Sequence, residues 1–290
     1  MTRSRSRSEP AAARAVRDVG EPFADAGTGY LCQDGAGVRF EWGPSGAKTL
    51  VGGTGAAVVV DVLSFTSAVS VATGRGIAVA PHPLDDAGAV ELAARLRAAV
   101  AVSRRRRSDE HPWTLSPAAL LAAPYTARLV LPSPNGSAIA AGLHRAERSG
   151  GARAHRGGVA IVAGCLRNVT ATARWLLAHG YGADSCPVWL VGAGERWPDG
   201  SLRPALEDLL GAGALAGALA DAGCTLSAEA RAAAHAFAAT SDLGGVVADC
   251  VSGRELAAHG FPDEAAVAAA LDADDHASVM DGDLFVQVDR

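Results

Sequence analysis

The segment VVVDVLSFTSAV sets an aspartate, Asp61, directly after three valines and just ahead of Ser64, Thr66 and Ser67. A carboxylate at the end of an apolar run can hold a magnesium ion, act as a base or attack phosphorus. It can also be a helix cap or a satisfied acid, but its place after the valines favours a functional reading. Three further clusters have the same character. SPNGS offers Ser133, Asn135, Gly136 and Ser137, where the glycine permits close approach of a ligand and the asparagine can cap a helix or donate. AGCLRN offers Gly164, Cys165, Arg167 and Asn168; a cysteine at a helix N-terminus can have a lowered pKa, and the asparagine is either a cap or a ligand donor. After Pro204, which suits a first helical turn, come the adjacent acids Glu207 and Asp208. These either complement the helix dipole or complete an oxygen-ligand site with Asp61.

Each cluster follows a short apolar run, and this regularity predicts the elements that position them. Apolar runs at residues 38–42, 58–60, 77–80, 98–102, 129–131, 159–162 and 188–191 read as strands. Helical stretches at 64–73, 84–97, 135–143, 168–179 and 204–222 separate most of them. Short apolar strands alternating with helices predict an α/β fold, with a mainly parallel sheet of β-α units and helices on both faces. In such a sheet ligands bind outside the carboxyl ends of the strands, where helix N-termini offer unpaired amides to a phosphate. The Gly/Thr-rich stretch up to residue 55 reads as a loop. Residues 228–239, 254–259 and 264–271 read as helices, and 277–280 and 284–288 as two short C-terminal strands around an Asp-Gly turn. Residues 1–29 read as a flexible tail and 30–290 as one domain. The arginine run at 104–107 reads as a solvated loop, because charge runs mostly face solvent.

Composition narrows the function classes. A formal charge of −5 gives no electrostatic case for nucleic-acid binding. The five cysteines are dispersed with no CxxC pair, which argues against a disulfide framework or a zinc site and fits a reducing cytoplasm. The chain starts on a basic, polar segment, and its most apolar stretch, 56–80, is broken by Asp61, Gly74, Arg75 and Gly76, so neither a signal peptide nor a membrane span is expected. GxxxxGK[ST], HExxH and GxSxG are absent. GAGERW fails the dinucleotide fingerprint because Trp197 replaces the third glycine, and Leu63 stands where the haloacid-dehalogenase signature needs a second acid.

Taken in order, these segments resemble the 2-phosphosulfolactate phosphatase (ComB-like) family. VVVDVLSFTSAV is similar to that family's strand followed by DVLRATT. SPNGS is similar to its TTNGT-type turn, GCLRN to its G-x-x-x-N-A segment, and VGAG with LEDLLGAGAL to its CAG…ED…CAG segment. SGRELAAHGF and LDADDHASVMDGD resemble its C-terminal end. The resemblance implies a cytoplasmic, magnesium-dependent phosphatase that converts 2-phospho-3-sulfolactate, or a related small phosphorylated acid, to the hydroxy acid, with room for a homo-oligomer. It implies Asp61, Asn135 and Asn168 as catalytic residues, Gly136 at the substrate, and Asp61, Glu207 and Asp208 on Mg2+; the residue types add Ser64, Thr66, Ser133 and Ser137 around the substrate. The family's GER and GFDxGNSP-like stretches are replaced here by VSRRRRSDEHPWTLSPAALLAAP, in which only LSP at 115–117 is similar.

Two other readings compete. One is a cysteine hydrolase of isochorismatase-like type, in which Asp61 activates Cys165; it expects a lysine between the two, and none is present. The other is a non-catalytic α/β protein that binds an anionic metabolite.

Overall fold

The computed structural model describes residues 28–84, 86–149 and 158–288. After a 3-10 turn (Thr28–Cys32) come β1 (Val38–Trp42), α1 (Gly43–Leu50), β2 (Gly55–Val60), α2 (Phe65–Gly74), β3 (Ala78–His82), α3 (Asp86–Leu96) and β4 (Ala99–Val100). Then follow α4 (Pro117–Ala122), β5 (Arg128–Pro132), α5 (Gly136–Arg148), β6 (Val159–Gly164), α6 (Val169–Ala178) and β7 (Val188–Gly192). The chain continues with β8 (Glu195–Arg196), β9 (Leu202–Arg203), α7 (Leu206–Asp221), α8 (Ala228–Ala238), α9 (Leu243–Asp249), α10 (Val251–Ala258), α11 (Asp263–Ala268), β10 (Ala277–Asp281) and β11 (Leu284–Val288). The tail read for residues 1–29 lies outside the described residues, except for its last two.

The fold is α/β, with a nine-stranded, mostly parallel sheet in the order β1-β7-β2-β6-β10-β11-β3-β5-β4. The strand that delivers Asp61 is buried along its length, and its side chains divide by the two-residue period of a strand. Val58 and Val60 join the apolar cluster under α6, α7 and α8, whereas Val59 joins the one around α2 and α5. A strand with both faces covered needs apolar residues at every position, which is why it reads as an unbroken run.

The C-terminal hairpin is the element whose place sequence reasoning did not find. β10 and β11 pair with each other and are inserted between β6 and β3, antiparallel to both, so the three-stranded half β3-β5-β4 runs opposite to the half β1-β7-β2-β6. Val79, Leu129 and Leu131 from one half nevertheless share a core with Val59, Ile161 and Val191 from the other. The two halves of the sheet therefore meet over one core around α2 and α5. Polar contacts hold the wedge in place: the Asp274 carboxylate accepts Arg167 Nε and Nη2 at 2.8 Å each and Ser70 Oγ at 2.7 Å, and the Thr73 hydroxyl meets His276 Nε2 at 3.0 Å.

Residues 43–50, read as loop, form α1 instead. Pro44 stands in its first turn, and its apolar face is Ala47 and Leu50, both buried. Gly46 lies so close to Glu41 that a Cβ there would come within 2.7 Å of the glutamate Cβ, so packing rather than helix propensity makes this element. α5 runs on to Arg148, past the predicted end at 143, and α9 falls in a stretch left unassigned. Among the described residues no helix is long and apolar enough to cross a membrane.

Phe285 of β11 is fully buried, pairs opposite Val79 and meets the Phe65 ring edge-on at 6.2 Å, so it joins the wedge to α2. Phe285→Ala is expected to lower unfolding free energy in urea by about 3–5 kcal/mol.

Candidate functional site

Asp61 leaves β2 with its carboxylate held by the first amides of two helices. Oδ1 accepts Phe65 N–H of α2 at 3.1 Å and Oδ2 accepts Gly136 N–H of α5 at 2.8 Å. The Thr66 hydroxyl fixes the backbone beneath it, bonded to both the amide and the carbonyl of Asp61. A Cβ on Gly136 would lie 2.6 Å from Asp61 Oδ2 and 2.9 Å from Phe65, so the glycine of the Asn-Gly turn is what lets α5 approach. Burial raises the Asp61 pKa to about 6 against the pull of these two amides.

The carboxylate faces a cavity of about 290 Å³ lined also by Ser64, Ser133, Asn135, Arg104 and Glu195, with Ser252, Glu255 and His259 from α10 and the residue after it. Asn135 does not cap α5; its Nδ2 donates to Glu195 Oε2 at 2.8 Å across the cavity. Burial, then the nearby Asp61 charge, pushes Glu195 up to about 7. Arg104 donates from Nη2 to Ser64 Oγ at 2.6 Å.

The expected residues therefore divide. Asp61, Ser64, Ser133 and Asn135 converge on one cavity, and Gly136 supports them from behind. Thr66 braces the Asp61 backbone, and Ser137 donates to the carbonyls of His82 and Leu131, tying α5 to β3 and β5. Asn168, expected in the chemistry, is fully buried away from the cavity lining. Its Oδ1 accepts Cys165 N–H at 2.9 Å and its Nδ2 donates to Ala163 O at 3.1 Å, so it holds the turn after β6. Asp208, expected on a metal, instead bridges two turns: Oδ1 accepts Val62 N–H at 2.7 Å and Oδ2 accepts Gly194 N–H at 2.8 Å. Burial, with Asp61 and Glu207 nearby, raises its pKa well above the usual carboxylate range. Glu207 is buried behind the cavity and accepts Cys250 Sγ at 3.2 Å. The amides of α2 and α5 expected to face a phosphate are taken up by Asp61.

Glu195 and Arg104, together with Ser252, Glu255 and His259, were not singled out as site residues in the sequence. Glu195 stands three residues past the end of β7, the kind of position that drew attention to Asp61, but GAGERW was weighed only for its glycines. Arg104 belongs to the run read as solvated; its side chain is 16% exposed, while the next three arginines are exposed as expected. Nothing in the local pattern separates it from them.

The cavity lining fits a hard divalent cation in its chemistry. Three carboxylates (Asp61, Glu195 and Glu255) and one arginine line it, a balance that would repel a multiply charged anion unless a cation intervened. Among the described residues no three His, Cys, Asp or Glu side chains converge as a closed metal cage. Magnesium does not require one, since it keeps several waters and takes one or two carboxylates besides phosphate oxygens.

A family model described as 2-phosphosulpholactate phosphatase matches residues 47–282, most of the chain. No curated protein matches it.

Gly136→Ala is expected to cost about 1–3 kcal/mol of stability in urea melts, because Asp61 and Phe65 must shift. Asp61 and Glu195 have folded pKa values above their ordinary ones, so their stabilising contribution is complete below about pH 4 and is lost as pH rises through 6 and 7. In chelator, the melting temperature of the wild type should therefore fall further between pH 5 and pH 8 than that of Asp61→Asn, as followed by circular dichroism.

Proposed function

The chain belongs to the 2-phosphosulpholactate phosphatase family, and from that premise we propose that it is a magnesium-dependent phosphatase acting on 2-phospho-3-sulfolactate or a closely related 2-phospho acid. The observation that supports this most is the placement of Asp61. It is a carboxylate pinned at the end of a buried strand, facing a polar cavity opposite a second carboxylate, Glu195. Asp61 and Glu195 are the residues that would hold the metal. When bound, magnesium supplies neutralisation of charge on the phosphoryl group as phosphorus is attacked.

The chain's own groups do the positioning. Asn135 fixes Glu195 through its amide nitrogen, and the amides of Phe65 and Gly136 fix Asp61, so neither carboxylate is free to swing when substrate enters. Ser64 and Ser133 supply hydroxyls along the wall, while Leu63, Leu115, Pro134 and Leu256 cover part of the cavity with apolar surface and limit its water. Arg104 contributes the positive charge that an anionic substrate needs beyond the metal. The product set is inorganic phosphate and a 2-hydroxy acid.

The cysteine-hydrolase reading loses its nucleophile. Cys165 is fully buried, and burial pushes its thiol up to about 11, the wrong direction for a reactive thiolate.

Phosphate release from 2-phospho-3-sulfolactate and a panel of 2-phospho acids tests the proposal. Turnover should require magnesium, vanish with chelator, and fall by about a thousandfold or more in Asp61→Asn, while Cys165→Ala retains it. Because Asp61 and Glu195 must both ionise to hold the metal, kcat/KM should rise with pH through about 6 to 7 and then level. Binding of phospho acids without release from any of them would replace this reading with that of a metabolite-binding protein.

A further inference from the structure

We propose that Arg104 reads the acid end of the substrate, the carboxylate or sulfonate that distinguishes a 2-phospho acid from a plain phosphate ester. The proposal deepens the phosphatase reading and rests on it. It starts from how the guanidinium is held. Nη2 donates to Ser64 Oγ at 2.6 Å and to Leu115 O at 3.3 Å, Nε donates to Glu264 Oε1 at 3.3 Å, and the group lies 5.9 Å from the centre of the Phe261 ring. Such contacts from three segments fix a fork that an exposed arginine would leave mobile.

The supports of this fork are themselves anchored. Arg75 at the end of α2 donates from Nη1 to Leu120 O and from Nη2 to Ala123 O at 2.6 Å, which ties α4 and the residue after it to α2. Glu264 is 3% exposed, and its second oxygen, Oε2, has no hydrogen-bond partner among the described residues. A buried carboxylate with one idle oxygen is costly unless it serves its cation, and here it holds Arg104 in place.

Arg104 and the carboxylates of Asp61 and Glu195 sit on the wall of the same cavity. Asn135 Nδ2 holds Glu195 and the next amide, Gly136 N–H, holds Asp61, and the phosphoryl group and metal belong beside these carboxylates on the reading above. Arg104 borders both that cavity and a second one of about 290 Å³, lined by Arg107, Thr114, Ser116, Phe261 and Glu264. Among the described residues it is the only lysine or arginine lining the first cavity, so the substrate's second anion has one partner there. With Nε and Nη2 engaged by Glu264, Ser64 and Leu115, the guanidinium would meet a carboxylate or a sulfonate through a charge-assisted hydrogen bond from Nη1.

Calorimetric titration of wild type, Arg104→Gln, Arg104→Lys and Glu264→Gln tests this, using sulfolactate and, separately, inorganic phosphate, both with magnesium. Arg104→Gln should weaken sulfolactate by about 10- to 100-fold while phosphate affinity changes by less than about threefold. Arg104→Lys should fall between, and Glu264→Gln should weaken sulfolactate by several-fold while leaving phosphate unaffected. Equal weakening of both ligands, or unchanged sulfolactate affinity, or no sulfolactate binding by the wild type, would overturn the assignment. Acid affinity that depends on Arg104 in a chain that releases no phosphate would sink the phosphatase reading and leave this one standing. Turnover with acid affinity indifferent to Arg104 would do the reverse.

Discussion

The carboxylate of Asp61 is the joint on which the molecule turns. Its two oxygens accept the first amides of α2 and α5, helices that arise from opposite halves of the sheet. Two helix N-termini favour a negative charge at that point. Burial disfavours it and prevails, leaving a group that ionises near 6 rather than near 4. The fold thus builds strong hydrogen-bond support for a charge and withholds the solvent that would stabilise it. On the proposed function, a cation delivered to the cavity would supply that stabilisation.

The acids around Asp61 divide the work. Asp208 ties the turn after β2 to the turn after β7 and has no place on the cavity wall. Glu195 reaches the wall from the far side of that second turn, held by Asn135 from the turn after β5. Three strand ends are therefore linked through carboxylates, each satisfied by amide groups rather than by arginines or lysines. This leaves the set acidic as a whole: burial raises Asp61, Glu195 and Asp208, and after it the neighbouring carboxylates add to the rise, Glu207 at Asp61 and Asp61 with Glu207 at the other two.

Much of this was legible in the sequence where a local rule applied. An acid after three valines marks a strand end, and Asn-Gly before an apolar periodic stretch marks the start of α5; both were read and both meet in the site. The alternation of strands and helices gave the class of fold. What stayed hidden depended on distant parts of the chain. Asn168 has the composition of a ligand donor, yet its amide is consumed within five residues of itself, at Cys165 and Ala163. Arg104 looks like its three neighbours and differs only because Ser64 and Glu264, 40 and 160 residues away, are there to receive it. Glu195 was passed over because its segment was tested against the wrong chemistry, glycines for a dinucleotide rather than an acid at a strand end.

The position of the C-terminal hairpin explains why the site forms at all. In a flat sheet whose halves run in opposite directions, the carboxyl ends of β2 and β5 would lie on opposite edges, and no ligand would touch both. The hairpin creates that reversal by pairing antiparallel with β6 on one side and β3 on the other. It also supplies part of the remedy: β10 and β11 pack against α2, and both halves share one core around α2 and α5. Over that shared core the Gly136 amide reaches Asp61. The site is therefore not the usual crevice at a switch point in a parallel sheet. It is a seam closed by a hydrogen bond between two halves, and its geometry is only as good as the wedge that joins them.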